Sequence, residues 1–243
     1  MTRRDLLART TTLGSSLAIG ASPADGPQDA GRKLNVVVTG GHPGDPEYGC
    51  GGTATRYADL EHRVTLLYLN NGEPSGTPEA SRGRRVAEAE KACAILKARP
   101  LFAGQVDGAA VVDAAHYRAF REILEAERPD VVFTHWPIDN HADHRAMAML
   151  VYDAWLRLDR AFALYYYEVS DGEDTVQFSP THHVDITAVE PRKRAACFAH
   201  ASQAPEKFYA LQEQVARFRG IERGVRQAEA FVRHVQGPDV ALP

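Results

Sequence analysis

The sequence predicts a single α/β domain of Rossmann-like type, with a mostly parallel sheet covered by helices on both faces. β-Branched runs of strand length alternate with amphipathic helical stretches, which is typical of parallel sheets. The 243 residues fit one core, and no internal repeat or interdomain linker interrupts the pattern after residue 30. A composition of 44% hydrophobic and 25% charged residues excludes disordered, collagen-like and coiled-coil chains.

Strands and helices follow in order from the periodicity of the apolar residues. We predict strands at residues 34–39, 63–69, 130–134, 163–169 and 183–186. Helices are predicted at about 50–60, 78–98, 114–127 and 143–159. The C-terminal stretch from residue 189 to about 234 predicts two helices that are interrupted near Ala204 and Pro205.

Charge and composition exclude several classes of partner. The net charge of −4, without any block of basic residues, predicts that the protein does not bind nucleic acid. Three scattered cysteines are too few for a disulfide framework or a thiolate zinc site. No run approaches 18 consecutive apolar residues, so we predict no transmembrane segment. Ten histidines stand out, because histidine binds metals and transfers protons near neutral pH.

Residues 1–30 differ in character from the domain predicted at residues 31–243. Arg3 and Arg4 precede a weakly apolar run, rich in Thr and Ser, that ends in small residues near Ala24. This order resembles a twin-arginine export signal followed by a linker, which predicts a periplasmic or extracellular protein. The alternative is a frayed basic N-terminus on a cytoplasmic protein.

Two loops at predicted strand ends are rich in His and Asp. Residues 40–52 follow the first strand and include His42 and Asp45, whereas residues 135–144 follow the strand at 130–134 and end in His144. Ligands of open parallel sheets bind beyond the carboxyl ends of the strands. Two imidazoles and one carboxylate form the usual ligand set of a catalytic zinc, with the fourth position left to water. The loops therefore predict an open Zn²⁺ site.

The same loops belong to a series of short motifs whose order resembles the PIG-L, or LmbE-like, family of zinc-dependent N-acetyl-sugar deacetylases. The resemblance covers nearly all of residues 34–235. It rests on His42 to Glu47, Leu69 to Glu73, Arg85 to Glu88, Asp107-Gly108, Trp136 to His144, His200 to Gln203, and Arg223-Gly224 with Ala228 to Phe231.

This resemblance implies a hydrolase that acts on linear amides. The substrate would be a small molecule or glycoconjugate that carries an N-acetylated amino sugar such as N-acetylglucosamine. Carried over by position, the zinc ligands are His42, Asp45 and His144. His141 would be the acid or oxyanion-stabilising residue beside the substrate carbonyl, and Asp143 would orient it.

The resemblance also implies substrate contacts at Arg85 and Asp107, with His200 reaching the site. Each position has a structural alternative. Arg85 could lie on a solvated helix face, and His200 could be a buried core histidine. His141 and Asp143 could cap the following helix, which is compatible with catalysis. The roles of His182 and His183 stay open.

One position departs from the family motif. The family carries its general-base Asp directly before the ligand Asp, whereas this chain has Gly44. Glu47, His141 or Asp139 could serve as the base, or turnover could be slow. A second hypothesis is a zinc-containing carbohydrate-binding protein with little or no turnover. A nucleotide-binding Rossmann domain is a third, which the absence of a complete G-x-G-x-x-G motif disfavours.

Overall fold

Alternating side chains along the central strands build two hydrophobic cores on opposite sides of one sheet. In the computed structural model, which describes residues 31–81 and 83–243, Val36 and Val38 face one core and Val37 faces the other. Leu66 and Leu67 divide in the same way on the neighbouring strand. This period of two is the expected consequence of pleated strands that are buried on both faces.

The sheet has seven strands in the order β3-β2-β1-β4-β5-β7-β6. The first five are mutually parallel, and β7 is antiparallel to both of its neighbours. The strands are β1 (Asn35–Gly40), β2 (Arg63–Pro74), β3 (Arg99–Asp107), β4 (Val131–His135), β5 (Ala163–Tyr167), β6 (His182–Asp185) and β7 (Ala228–Arg233).

Six α-helices surround the sheet over the described residues. They are α1 (Asp45–Asp59), α2 (Arg84–Leu96), α3 (Ala114–Glu127), α4 (Ala142–Arg157), α5 (Glu190–Phe198) and α6 (Pro205–Arg223). Helices α1, α2 and α5 contribute to one core, and α3 and α4 contribute to the other. The predicted fold class is therefore confirmed: Lys33–Pro243 form one α/β unit with helices on both faces.

Helix α1 begins at Asp45, five residues before the predicted start. Pro46 suits the first turn, and the Glu47 carboxylate accepts a hydrogen bond from Gly44 N–H, at 3.2 Å, just before the helix. The glycines that suggested a loop lie inside the helix because neighbours approach closely. A Cβ on Gly49 would lie 2.2 Å from the ring of Tyr167.

The sequence prediction missed two strands. β3 is an edge strand that carries Pro100 and Gly104, both of which weaken a strand pattern. The prediction of helix up to residue 234 was wrong at its end, because α6 ends at Arg223 and β7 follows. β7 is held by Glu229, whose buried carboxylate accepts a hydrogen bond from Lys193 Nζ on α5 at 2.6 Å.

In the part of the chain that the structure describes, no helix combines the length and apolar character needed to cross a membrane. The predicted export signal, residues 1–30, lies outside the described residues.

Candidate metal centre

The carboxyl ends of neighbouring strands bring the two predicted loops together. β1 and β4 are adjacent and parallel, so the residues that follow them meet at one edge of the sheet. His42 and Asp45 come from the connection between β1 and α1, and His144 comes from the first turn of α4. All three side chains are largely buried there.

Both predicted imidazoles approach the carboxylate of Asp45. The Oδ2 atom of Asp45 lies 3.3 Å from Nδ1 of His42 and 3.2 Å from Nε2 of His144. A tetrahedral zinc with bonds of about 2.0–2.1 Å separates its ligand atoms by about 3.3 Å. The two distances to Asp45 are therefore of the size expected between ligands of one zinc ion.

Both imidazoles are oriented by carboxylates that contact the ring nitrogen farther from Asp45. His144 Nδ1 lies 3.1 Å from Asp139 Oδ1, which leaves Nε2 directed at Asp45. His42 Nε2 lies 3.1 Å from both Asp107 Oδ1 and Asp143 Oδ2, which leaves Nδ1 directed at Asp45. Metal-binding histidines commonly donate their second ring N–H to a carboxylate, which fixes the ring and raises its basicity. The donor set therefore fits a divalent metal.

Strong electrostatic coupling accompanies this geometry. Burial opposes protonation of His42, but Asp45 and two further carboxylates outweigh it and raise the pKa of His42 to about 12. Against the same effect of burial, Asp45 and Asp139 raise the pKa of His144 to about 9. The cluster is thus rich in negative charge, and metal binding at such a site releases protons from its ligands.

His135 is a member of the cluster that the sequence analysis did not single out. It ends β4, is fully buried, and its ring stacks on His144 with centroids 4.0 Å apart. Its Nε2 accepts a hydrogen bond from Gly41 N–H at 3.0 Å and lies 3.2 Å from Asp45 Oδ2. Burial and the nearby charge of His144 lower the pKa of His135 to about 4, so its ring is neutral. The sequence feature that could have identified His135 is a histidine at the end of a buried strand.

Over the described residues, the donor atoms that lie close together form groups other than the predicted set of His42, Asp45 and His144. Three groups of donor atoms lie within 4.8 Å of one another: His42, His141 and His144; Asp45, His135 and His144; and His42, Asp107 and Asp143. His42 and His144 each belong to two of these groups, so both predicted imidazoles lie at the centre of the cluster.

His141 lies beside the predicted ligands and precedes α4 as its N-cap. Its ring is 4.6 Å from those of His42 and His144, and its Nδ1 accepts a hydrogen bond from the backbone N–H of Asp143 at 3.3 Å. Burial, followed by the charges of His144 and His42, lowers its pKa. The neutral ring therefore carries its proton on Nε2, as a hydrogen-bond donor.

The structure corrects the role expected of Asp143. Only its backbone N–H contacts His141, whereas its carboxylate faces His42. The same carboxylate accepts hydrogen bonds from Gly108 N–H at 2.9 Å and Asn70 Nδ2 at 3.1 Å. Asp143 therefore joins the ends of β2 and β3 to His42, and any orientation of His141 comes from the helix backbone.

Glu47 does not reach the ligand atoms, contrary to its candidacy as a base. Its side chain is fully buried, and it accepts hydrogen bonds from Tyr68 Oη at 2.8 Å and His200 Nε2 at 2.9 Å besides the one from Gly44 N–H. Because every one of these bonds holds the loop or its surroundings, Glu47 is a structural support. His200 is buried, as its alternative interpretation expected, and it also lines the cavity beside the cluster.

That cavity has a volume of about 300 Å³, at the lower end of the usual range for small-molecule sites. Arg85 and Asp107 lie on one wall, and Tyr48 and Phe208 provide aromatic surface elsewhere. Arg85 is not on a solvated helix face: its Nη2 donates a hydrogen bond to the carbonyl oxygen of Pro43 at 2.6 Å. Every predicted site residue except Glu47 and Asp143 lines this cavity.

The fold and the cluster define an α/β protein with a histidine–aspartate centre, suited to a metal ion, at the carboxyl edge of a parallel sheet. Comparison with known families agrees with this description. The PIG-L family model, described as GlcNAc-PI de-N-acetylase, matches residues 37–155, just under half of the chain, and these residues contain both loops of the centre.

Solved structures share the whole fold. The conserved protein TT1542 from Thermus thermophilus is 27% identical, over 86% of this chain and 98% of that chain, with a TM-score of 0.73. The N,N'-diacetylchitobiose deacetylase from Pyrococcus horikoshii is 24% identical, over 82% and 83%, with a TM-score of 0.70. GalB, the 4-carboxy-2-hydroxymuconate hydratase from Pseudomonas putida, is 22% identical, over 85% and 97%, with a TM-score of 0.74.

Proposed function

We propose that the protein is a zinc-dependent deacetylase that removes the acetyl group from an N-acetylated amino sugar or glycoconjugate. The observation that carries the proposal is the geometry of the centre: two imidazoles, each backed by carboxylates, flank Asp45 in a cavity of small-molecule size. The PIG-L family domain supports the reaction type, and the fold shared with a chitobiose deacetylase is consistent with it.

When bound, zinc would polarise the acetamide carbonyl and bring the pKa of a water molecule to about 7. The chain's own residues supply the remaining chemistry. His141 would donate its Nε2 proton toward the carbonyl oxygen as negative charge develops there, and it is placed beside His42 and His144 to do so. Arg85 and Asp107 would hydrogen-bond sugar hydroxyls from the cavity wall.

The direct test combines metal content with acetate release from N-acetylglucosamine and N,N'-diacetylchitobiose. We expect about one Zn²⁺ per chain and acetate formation by the purified protein. Asp45→Ala and His144→Ala should lose most of the zinc and the activity. His116→Ala, which changes a partly exposed histidine of α3 away from the centre, is the matched control and should keep both. Equal zinc content in all four proteins would refute the ligand assignment.

The second candidate is a zinc-containing carbohydrate-binding protein without efficient turnover. It is favoured by Gly44, which offers no side chain next to Asp45. The same samples decide between the two functions. Zinc occupancy with calorimetrically detected binding of diacetylchitobiose, but no acetate release, would support the binding protein and reject the deacetylase.

We further propose that the chain is exported by the twin-arginine route, a proposal that rests on Arg3 and Arg4 ahead of a weakly apolar run that ends in small residues near Ala24. Replacing both arginines with lysine should leave the full-length protein in the cytoplasm, whereas the wild type should be processed and exported. Normal export of the double variant would show that another export route is used. A wild type that stays unprocessed in the cytoplasm would favour the cytoplasmic alternative.

A further inference from the structure

One carboxylate of the cavity has no role in the centre described above. Asp174 lies in the connection between β5 and β6 and lines the same cavity as Asp45, His141 and His144. It is half-buried, and the sequence analysis did not single it out. Its function can be inferred from what the reaction needs and from what the neighbouring residues already do.

Hydrolysis of an amide by water needs a group that accepts a proton from the water. Most carboxylates around the centre are occupied by other contacts. Asp139 accepts hydrogen bonds on both oxygens, from His144 and His141 on Oδ1 and from Thr175 on Oδ2. Glu47 is likewise engaged on both oxygens.

The remaining candidates are also committed. Asp107 and Asp143 both pair with His42, and Asp45 belongs to the ligand set. His141 uses its Nδ1 as the acceptor for a backbone N–H, so its other nitrogen carries a proton and acts as a donor. Each of these groups therefore has at least one partner in or beside the centre.

Asp174 differs from all of them. Among the residues that the structure describes, no hydrogen bond or ion pair involves its carboxylate. Burial raises the pKa of Asp174 above the ordinary value for aspartate, with help from the charges of Asp139 and Asp45 and against the opposing charges of His144 and His141. An unpaired carboxylate whose proton affinity is raised in a cavity has the properties of a general base.

Direct bonds hold the position of Asp174 relative to the centre. Asn140 N–H donates to the carbonyl oxygen of Asp174 at 2.8 Å, next to His141. Thr175 Oγ1 donates to Asp139 Oδ2 at 3.1 Å, and the other oxygen of Asp139 orients His144. The segment that carries Asp174 is therefore fastened to the same residue that fixes a predicted metal ligand.

We propose that Asp174 is the general base of this protein, a role that rests on the proposed deacetylase function. Its carboxylate takes one proton from water while the water oxygen forms a bond to the acetamide carbon. When the C–N bond breaks, the protonated Asp174 carboxyl gives this proton to the leaving nitrogen and returns to its carboxylate form, so acetate and the free amino sugar are the products. No reactant other than water and the N-acetyl substrate is required.

The test compares Asp174→Asn with Glu173→Gln, which removes an adjacent, exposed carboxylate of the same loop. Asp174→Asn should lower kcat for acetate release by about 10²–10⁴-fold, the usual contribution of a positioned base. Its KM and its zinc content should stay at wild-type values, and its melting temperature should be unchanged or higher because the carboxylate has no bonding partner to lose. Glu173→Gln should match the wild type in all four measurements.

Formate rescue separates a base from a structural residue. Asp174→Ala leaves space for a small carboxylate, so added formate should restore a measurable part of its kcat, whereas chloride at equal ionic strength should not. A kcat for Asp174→Asn within fivefold of the wild type would overturn the inference while leaving the deacetylase intact. Loss of zinc or a lower melting temperature, without formate rescue, would also overturn it. A wild type that releases no acetate would reject the deacetylase function itself.

Discussion

Gly44 lies at the point where this chain departs from the PIG-L motif that it resembles, and its backbone conformation allows the effect of a substitution to be predicted quantitatively. Its φ of 116° and ψ of −42° lie outside the regions that residues with a Cβ readily adopt. A Cβ built on Gly44 would find space, because the nearest atoms, in the ring of Tyr48, are 3.8 Å away. Substitution should therefore cost backbone strain alone, roughly 1–3 kcal/mol.

Gly44→Ala should accordingly lower the melting temperature by about 2–12 °C, since 1 kcal/mol corresponds to about 2–4 °C for a domain of this size. Gly44→Asp carries the same strain and adds a carboxylate beside Asp45. The difference between the two variants isolates the effect of that carboxylate. Because Asp174 is proposed to supply the base, we expect Gly44→Asp to have no higher kcat than Gly44→Ala.

Differential scanning calorimetry of the zinc-loaded proteins and acetate-release kinetics test both parts. A melting temperature of Gly44→Ala within 1 °C of the wild type would refute the strain argument. A kcat for Gly44→Asp at least tenfold above that of Gly44→Ala, at equal zinc content, would show that a base is missing at position 44. That result would also contradict the role proposed for Asp174.

Three further predictions concern stability and the thiols. Gly49→Ala should destabilise the fold by roughly 2–3 kcal/mol in urea unfolding, because its Cβ would lie 2.2 Å from the buried Tyr167 ring, whereas Gly51→Ala, whose Cβ would lie 3.3 Å from Lys193 Cγ, should have a clearly smaller effect. Glu229→Gln should cost about 3–5 kcal/mol, because it leaves Lys193 buried without its charged partner and removes one of the two oxygens that accept hydrogen bonds from Gly52 and Thr53 N–H, and Lys193→Met in the same chain should recover only the part due to the unpaired charge. Burial raises the pKa of every thiol, so a disulfide reagent should label none in the native protein and three after unfolding: Cys50, Cys93 and Cys197.

Elements with strong local signals were predicted closely from the sequence. Helix α3 has the predicted bounds because Asp113 caps its first turn, accepting hydrogen bonds from two backbone N–H groups, and Arg128 ends it in a left-handed conformation. β3 and β7 were missed because tertiary contacts determine them. β3 is completed by its pairing with β2, and the Glu229 of β7 finds its Lys193 partner on another element.

The candidate centre likewise contains residues that local sequence predicts and residues whose positions depend on tertiary contacts. The sequence predicted the proximity of three residues, His42, Asp45 and His144. They lie in two short segments that directly follow adjacent strands, so their positions in the sequence indicate that they come close together. Two side chains turn away from the roles expected of them: that of Asp143 faces His42, and that of Glu47, in the same loop as two predicted ligands, turns toward Tyr68 and does not line the cavity. Only packing decides that direction.

The position of Asp174 beside the centre follows from the topology of the sheet and could not be predicted from the local sequence. It lies 30 residues beyond His144 along the chain, in an acidic loop with no motif to distinguish one carboxylate from the next. β5 pairs with β4 in the sheet, so the loop after β5 necessarily emerges beside the loop after β4. The bond from Thr175 to Asp139 then fastens the two loops together, and Asp139 becomes the point at which the orientation of His144 and the position of Asp174 depend on each other. A substitution in either loop should therefore change both the affinity of the centre for the metal and the rate of proton transfer from water to Asp174.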